Sequence, residues 1–254
     1  MNSKTAEILA TINRDFYHRN HVSFSATRKS SWPGWGSCLE LIGEALPRKE
    51  QVLSVFDLAC GNLRFRDFLT SKLPDLAFSW YAVDNCDPLV PQSVEVHYQN
   101  LDILDVLQKT LPLSSQIEAP PCELAVCFGF LHHVPTQEYR EELLQALVRQ
   151  TQPGGYMIVS FWQFLNNEAL ATRAKSTHQR ALEDLGLTDL AGLEDNDFLL
   201  GWENRAGAYR YCHSFSETEI DQLLASIANR TTLLSRFVSD GRTNNLNTYA
   251  VLRA

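Results

Sequence analysis

Short apolar segments alternate with helix-like segments in the middle of the chain, and this alternation most constrains the fold. The apolar runs have strand length and end at a polar residue or a turn, at 51–59, 78–83, 94–98, 122–130 and 156–161. Apolar residues at helical spacing lie between these runs, at 63–73 and 138–150. Such a pattern is typical of a parallel sheet that is buried on both faces. The sequence therefore predicts a doubly wound α/β fold.

The flanking regions depart from this alternation. Residues 167–185 have a helical pattern that ends at Gly186, and 189–197 is acidic and loop-like. Ser216 and Glu219 form an S-x-x-E capping box, which predicts a helix start. Two strand-like runs, 232–238 and 248–252, predict a hairpin at the edge of the sheet. We expect a helical lid over 1–50 and a catalytic domain over 51–254, with 163–215 as a substrate-side insertion.

Composition narrows the classes of function. The chain has 22 basic and 30 acidic residues, a net charge of −8, whereas a protein that binds nucleic acid by phosphate neutralisation alone is usually basic. No apolar run reaches the ~20 residues that a membrane helix needs, and the polar start does not resemble a signal peptide. The six cysteines contain no C-x-x-C pair, which predicts free thiols, a cytoplasmic protein and no metal site.

Acidic residues follow three successive strand-like runs. Asp57 and Gly61 come at the end of the first run, Asp84 ends the second, and Asp102 follows the third. In an open α/β sheet the ligand lies beyond the carboxyl ends of the strands. Each aspartate alone is compatible with a turn or a helix cap, but together they predict a nucleoside site. The single glycine disfavours a dinucleotide fingerprint and excludes a phosphate-binding loop.

The segments VFDLACGNLRF, YAVD, NLDILD, CELAVCFGFLHHV and QPGGYMIVSFW resemble, as a series over 51–162, the motifs of class I S-adenosylmethionine-dependent methyltransferases. This resemblance implies S-adenosylmethionine as cofactor, with the methionine part near the first motif, the ribose at the second and the adenine at the third. The implied cofactor-binding residues are Asp57, Ala59, Gly61, Asp84, Asp102 and Phe128. The family usually has further glycines in the first motif, where this chain has Ala59, Asn62 and Leu63. The fold expected is a mostly parallel seven-stranded sheet with helices on both faces and a C-terminal hairpin.

A narrower resemblance lies in the flanks. The order F-S-x-T-R-x-x-x-W-P, L-H-H, D-x-x-x-x-W and R-Y-x-H-x-F is similar to that of the tRNA wobble-uridine carboxymethyl methyltransferases. That family methylates the carboxylate of 5-carboxymethyluridine, and its eukaryotic members work with a small zinc-binding partner. The resemblance implies tRNA, or a small carboxylate-bearing acceptor, as the substrate, together with a small partner protein. Candidate substrate-binding residues are Trp32, His133, Trp162, Trp202, Tyr211 and His213.

A carboxylate acceptor determines which catalytic groups are needed. It is ionised near neutral pH, so no general base is required, but a cation must hold it. The planar fork of arginine suits a carboxylate, which makes Arg210 the first candidate and Arg28 the second. His132 is a candidate for orienting the substrate or accepting a proton. Adjacent histidines rarely converge on one ion, so His132 and His133 predict no metal site.

Several alternatives remain open from the residues alone. The arginines could form surface ion pairs, and the tryptophans could pack in the core or stack on a base. The chain could instead methylate oxygen or nitrogen of a small molecule with a histidine base, or serve as a non-catalytic cofactor-binding subunit. The first 30 residues have a local basic excess that would meet an anionic substrate, from Lys4, Arg14, Arg19, Arg28 and Lys29. We expect 14–35 and 197–215 to fold together over the cofactor.

Overall fold

A seven-stranded, mostly parallel sheet forms the centre of the molecule, as predicted. The computed structural model describes residues 1–28, 30–46, 51–91, 94–187, 190, 192–203 and 205–254, so Lys29 and parts of the acidic 189–197 segment lie outside the described residues. The strands are β1 Val52–Leu58, β2 Ala77–Asp84, β3 His97–Asn100, β4 Cys122–Cys127, β5 Thr151–Trp162, β6 Asp197–Gly201, β7 Tyr209–His213, β8 Thr232–Ser239 and β9 Asn247–Arg253. The helices are α1 Ser3–Ala26, α2 Pro33–Ile42, α3 Arg64–Lys72, α4 Ile103–Gln108, α5 Gln137–Arg149, α6 Glu168–Leu185 and α7 Glu217–Ala225.

The strand order determines where a ligand can bind. The sheet runs β3-β2-β1-β4-β5-β9-β8, with β1 to β5 parallel and β8 and β9 antiparallel at one edge. The chain moves outward from β1 to β3 and then returns to place β4 on the other side of β1. This reversal is the topological switch point, and the carboxyl ends of the strands around it form a crevice.

Helices cover both faces of this sheet because the strands are apolar on both sides. Side chains of α4, α5 and α7 pack with one face, as Leu107, Leu147 and Leu223 illustrate. Residues of α2 and α3, among them Trp35 and Phe68, pack with the other face. Within the described ranges, no helix is long and apolar enough to cross a membrane.

The remaining elements lie beside the crevice. Strands β6 and β7 pair with each other as a separate antiparallel sheet, and α6 packs on β6 while α1 packs on β7. Asn13 of α1 fixes this arrangement, since its Oδ1 accepts a hydrogen bond of 2.7 Å from the Tyr211 backbone N–H. The N-terminal helix and the β6–β7 pair therefore form one wall.

Three local predictions need correction. The third strand is His97–Asn100 rather than 94–98, because backbone pairing with β2 and not the apolar pattern defines this edge strand. The fifth strand begins at Thr151 and includes the predicted break at 153–155, since an irregular pairing with β4 admits Gly154 at φ +80°. The acidic loop ends earlier than predicted, because Asp197 already pairs with His213 in β6 and β7.

Candidate active site

A cavity of about 510 Å³ opens at the carboxyl edge of the sheet, at the switch point between β1 and β4. Its floor comes from the loops after β1, β2 and β4, and its walls come from α1, the segment before α2 and the start of β7. Twelve of the predicted site residues line it: Arg28, Trp32, Asp57, Ala59, Gly61, Asp84, Asp102, Phe128, His132, His133, Trp162 and Arg210. The sequence motifs thus converge on one cavity.

The loop after β1 has an unusual backbone. Ala59, Gly61 and Leu63 have φ values of 59°, 53° and 59°. This left-handed conformation is disfavoured for residues with a Cβ atom, and Ala59 and Leu63 stand where the resembled motif usually has glycine. The loop therefore has a left-handed backbone at two positions where the resembled motif usually has glycine.

Asp84 organises this loop from the end of β2. Its Oδ2 accepts a hydrogen bond from the Gly61 N–H and its Oδ1 accepts one from the Cys86 N–H, both at 2.9 Å. Burial raises the pKa of Asp84, and these backbone donors lower it again in part. The carboxylate is thus held at the cavity with unused lone pairs.

Asp57 lies deeper, at the end of β1, with 3% of its surface exposed. Its Oδ2 is buried and has no hydrogen-bond partner among the described residues. Burial, and secondarily the Asp84 carboxylate, raises the pKa of Asp57 to about 8. A buried carboxylate that lacks a partner fits a cationic group of a ligand, such as an amino group.

Asp102 and Phe128 complete this side of the cavity. Asp102 caps α4 by accepting a hydrogen bond from the Asp105 N–H, and it pairs with Arg14 at 2.9 Å. Asp102 therefore both caps a helix and lines the cavity. The Phe128 ring packs against Phe65 with a centroid distance of 4.8 Å.

Arg210 is a buried, charged residue that lines the opposite side of the cavity. It is 8% exposed, and its Nε and Nη1 atoms have no hydrogen-bond partner within the described part of the chain. Its guanidinium lies between the rings of Phe16 and Trp202, at 5.3 and 5.1 Å. Rings hold the planar group in place, but they leave its in-plane donors free. A buried cation with free donors fits an anionic ligand.

Three further arginines line the same cavity: Arg14, which pairs with Asp102, and Arg28 and Arg64. The Arg28 guanidinium lies over Phe24 at 4.7 Å and over Trp202 at 5.8 Å, so Trp202 contacts both arginines. Burial and then the Arg210 charge lower the pKa of Arg28. Arg64 lies over Trp32 at 5.3 Å and donates to the Ser30 carbonyl; burial and then Arg28 lower its pKa to about 10.

Arg64 is a site residue that sequence reasoning missed, because no local pattern distinguishes it from an ordinary first-turn residue of α3. The basic excess of the first 30 residues also needs refinement. Arg14 and Arg19 are paired with Asp102 and Asp15, so of that group Arg28 is the basic side chain that the structure shows lining the cavity without a carboxylate partner. Arg28 therefore lies close to both Arg210 and Arg64, in a cavity whose lining also includes aspartates.

The histidine pair lies beneath these arginines in a turn after β4. Burial, and then neighbouring positive charge, lower the pKa of His132 well below its usual range, so the ring is neutral. Its Nδ1 has no partner among the described groups, and the ring packs on Trp162 at 4.8 Å. His132 is thus a neutral group with unused hydrogen-bonding capacity.

His133 is fully engaged. Its Nδ1 lies 2.7 Å from the Tyr211 carbonyl oxygen and its Nε2 lies 2.7 Å from the Tyr17 hydroxyl. Tyr17 is a second cavity residue that sequence reasoning missed. The available signal was the spacing of Asn13 and Tyr17, which places both polar groups on one face of α1.

Three predicted substrate residues do not line the cavity. Tyr211 and His213 are fully buried, and both bind Asp197: the Tyr211 hydroxyl donates to it at 2.7 Å and His213 Nδ1 lies at 2.8 Å. His213 Nε2 also contacts Glu219 at 2.8 Å. Trp202 supports the arginines from behind and donates from Nε1 to the Ser23 hydroxyl. Tyr211 and His213 therefore belong to a buried polar network beneath the site.

The predicted contact of 14–35 with 197–215 is confirmed by the Ser23–Trp202 hydrogen bond and by the packing of the Phe16 ring against Trp202. All six cysteines are free and buried. Two groups of potential metal ligands lie close together, one of His132, His133 and Cys212 and one of Glu194, His213 and Glu219. Both nitrogens of His133 and of His213 already have hydrogen-bond partners, whereas Nδ1 of His132 has none among the described residues.

Comparisons with known proteins agree with this geometry. No family model matches the sequence. A protein of Encephalitozoon cuniculi with a provisional methyltransferase name is 27% identical over 202 residues, 79% of this chain and 78% of the relative. The mouse tRNA (carboxymethyluridine(34)-5-O)-methyltransferase ALKBH8 is 27% identical over 66% of this chain, and its Arabidopsis thaliana namesake is 24% identical over 59%. The matches span only 23% and 33% of the lengths of these two relatives.

Solved structures show the same fold. A methyltransferase from Methanosarcina mazei has a TM-score of 0.56 at 17% identity, covering 84% of this chain and 96% of its own. The Burkholderia thailandensis 1,6-didemethyltoxoflavin-N1-methyltransferase, solved with its acceptor and S-adenosylhomocysteine, has a TM-score of 0.59 at 15% identity, covering 98% and 89%. The fold is thus that of the class I methyltransferases. Fold and curated relatives together define the chain as an S-adenosylmethionine-dependent methyltransferase.

Proposed function

We propose that the chain transfers a methyl group from S-adenosylmethionine to a carboxylate, and that the acceptor is 5-carboxymethyluridine in tRNA. The observation that carries this proposal is the Arg210 guanidinium, which is buried, faces the cavity and has free donors. A buried cation with unsatisfied donors is costly to the folded protein. A carboxylate of the substrate would supply the missing partner through a bidentate contact.

The described residues fit the cofactor. S-adenosylmethionine supplies an electrophilic methyl group on a sulfonium sulfur. Asp57 would bind its amino group, since the buried Oδ2 lacks a partner. Asp84, whose oxygens already accept two backbone N–H groups, has lone pairs left for the ribose hydroxyls. Asp102 and Phe128 would contact the adenine at the same cavity.

The acceptor side needs cations and no base. Arg210 would hold the reacting carboxylate, and Arg28, which contacts the same Trp202 ring, would add positive charge beside it. Alignment of a bound nucleophile with the methyl group and exclusion of water then lower the barrier. His132 is neutral and so would orient the acceptor through a hydrogen bond. Trp32 and Trp162, which line the cavity, would pack against the base.

Two observations favour tRNA as the source of the carboxylate. The flanking motifs resemble the carboxymethyluridine enzymes, and two curated relatives bear that activity in their names. Four arginines also line the cavity of this chain of net charge −8, and of these Arg28, Arg64 and Arg210 have no carboxylate partner among the described residues, whereas Arg14 pairs with Asp102. Local positive charge at the active site suits a polyanion with a carboxylate at the reactive position.

Mass spectrometry of tRNA nucleosides from a strain that lacks the gene tests this proposal. We expect 5-carboxymethyluridine to accumulate and its methyl ester to disappear, with restoration by the wild-type gene but not by an Arg210→Met copy. Unchanged nucleosides would contradict the tRNA assignment.

A small carboxylate-bearing molecule is the second candidate acceptor. The acidic net charge favours it, since the chain as a whole would repel a polyanion. It would use the same Arg210 contact, so the purified protein with tRNA separates the two candidates.

A further inference from the structure

The direction of one hydrogen bond in the active-site cavity can be deduced. The Tyr211 carbonyl oxygen can only accept, so His133 Nδ1, at 2.7 Å, must carry a proton and donate it. Burial, and then the Arg210 charge, lower the pKa of His133 to about 3, so the ring is neutral and has one proton only. Its Nε2 is therefore an acceptor.

The consequence falls on Tyr17. Its hydroxyl lies 2.7 Å from His133 Nε2, and burial raises its pKa, so the hydroxyl keeps its proton and donates it to His133. With its proton committed, the oxygen can only accept from other groups. Within the described ranges the oxygen accepts no hydrogen bond, while Tyr17 lines the cavity beside Arg28 and Arg210.

The position of Tyr17 is also fixed. Asn13, one turn earlier on α1, accepts from the Tyr211 N–H at 2.7 Å. The Tyr17 ring meets the rings of Phe16, Phe24 and His133 edge-on at 5.0 to 5.4 Å. A rigid acceptor beside two cations recognises a ligand that presents an anion and a hydrogen-bond donor together.

We propose that Tyr17 is a specificity-determining residue, whose hydroxyl oxygen accepts a hydrogen bond from an N–H or O–H group of the methyl acceptor. This inference rests on the proposed function. In 5-carboxymethyluridine the donor is the N3–H of the uracil ring or the 2′-hydroxyl of the ribose. Arg210 would then bind the carboxylate, and Tyr17 would select for the nucleoside that carries it.

The test uses three synthetic anticodon stem-loop RNAs with 5-carboxymethyluridine at the wobble position. One is otherwise unmodified, one is methylated at N3 and one is 2′-deoxy at that nucleotide. Steady-state methylation is measured with the wild-type chain, Tyr17→Phe and Tyr209→Phe. The last variant is the matched control, since the Tyr209 hydroxyl binds Asp184 and does not line the cavity.

Loss of one good hydrogen bond predicts that Tyr17→Phe lowers kcat/KM about tenfold on the unmodified RNA, chiefly through KM. On the RNA that lacks the donor, wild type and Tyr17→Phe should be equal, and this RNA identifies the donor. Tyr209→Phe should match wild type on all three. S-adenosylmethionine affinity by calorimetry should stay within twofold in both variants.

An equal loss for Tyr17→Phe on all three RNAs would overturn the inference, because a merely structural role does not depend on the RNA. Full activity of Tyr17→Phe on the unmodified RNA would also overturn it. In both cases the wild-type chain still methylates this RNA, so the proposed function stands. Failure of wild type on the unmodified RNA refutes the proposed function instead.

Discussion

Arg210 and His213 lie three residues apart on β7, and their side chains have opposite environments. His213 is fully buried and both its nitrogens contact carboxylates, Asp197 and Glu219, at 2.8 Å. Arg210 is nearly as buried, yet two of its nitrogens have no partner among the described residues. Buried polar groups that have hydrogen-bond partners stabilise the wall of the site. A buried cation with unsatisfied donors is instead available to bind a ligand.

The network around His213 also shows in the carboxylate pKa values. Burial alone would raise the pKa of Glu219, but the hydrogen bond from His213 and those from Ser216 lower it to about 2. Burial acts in the same way on Asp197, whose pKa nevertheless falls below its usual range because His213 donates to it. These groups are matched to each other and leave nothing for a substrate.

The largest effect is expected at His213. His213→Gln removes a buried imidazole that contacts both Asp197 and Glu219. Each carboxylate oxygen left unsatisfied costs ~1–3 kcal/mol or more, so the free energy of unfolding should fall by ~3–5 kcal/mol. Urea denaturation measures this loss. At a temperature where the variant is folded, its KM for the acceptor should equal that of wild type. A stable variant with a raised KM would place His213 in the substrate site.

Arg210 should behave in the opposite way. Arg210→Met removes the partner of the substrate's desolvated carboxylate. The transition state should lose ~3 kcal/mol of stabilisation, so kcat/KM should fall about a hundredfold. The affinity for S-adenosylmethionine should stay within a few-fold. Arg210→Lys should restore only part of the activity, because an ammonium cannot reproduce the bidentate fork.

Stability provides the control for Arg210. Removing a buried cation with two unsatisfied donors should leave the unfolding free energy unchanged or higher. If Arg210→Met instead loses stability as His213→Gln does, Arg210 has a structural partner and the comparison fails. Activity that depends on His132 rather than Arg210 would indicate a hydroxyl or amine acceptor.

On the cofactor side, Asp84 is the residue with the largest expected effect. Charge-assisted hydrogen bonds to a diol contribute ~1.5–3 kcal/mol each, so Asp84→Ala should weaken S-adenosylmethionine binding at least about tenfold. Calorimetry on the folded variant measures it. Unchanged affinity would remove Asp84 from the cofactor site.

The raised pKa of Asp57 predicts that cofactor binding releases a proton. With its pKa raised to about 8 by burial, the carboxyl is protonated at pH 6.5, and its contribution to stability is lost as pH rises through 8. Binding an ammonium group requires the carboxylate, so cofactor binding at pH 6.5 should release close to one proton. Calorimetry in two buffers of different ionisation enthalpy detects it. Asp57→Asn should abolish the release, and a buffer-independent heat in wild type would refute the assignment.

The smallest effect concerns the strained loop. Ala59 has φ 59°, a conformation that costs a residue with a Cβ ~1–2 kcal/mol and glycine little. Ala59→Gly should therefore raise Tm by about 2–4 °C with cofactor affinity unchanged or tighter. Leu63 is a poorer choice because its side chain is fully buried. A lower Tm would show that Ala59 is not strained.

The features that were predicted correctly are those that short stretches of sequence determine. Apolar runs predicted the central strands, and aspartates at their ends predicted one edge of the sheet, because parallel strands bring their carboxyl ends together. The capping box at Ser216 is present with both hydrogen bonds. Strand β3 was misplaced because its polar residues carry no apolar signal.

The remaining features depend on contacts that no local pattern encodes. The pairing of β6 with β7 and the seat of α1 on β7 are long-range, so the burial of Tyr211 and His213 was not predictable from R-Y-x-H-x-F. Arg210 and His213 both belong to that motif, although Arg210 lines the cavity and His213 does not. Tyr17 and Arg64 reach the cavity only through the packing of their helices.

The most direct test of the central claim is the chemical nature of the methylated product. Purified protein, labelled S-adenosylmethionine and tRNA bearing 5-carboxymethyluridine are incubated, and the labelled tRNA is then treated with mild alkali. A carboxylate acceptor predicts label that leaves as methanol, because an ester hydrolyses, and labelling about a hundredfold slower with Arg210→Met. Label that survives alkali as an ether or an N-methyl group, made equally by Arg210→Met, would contradict the account.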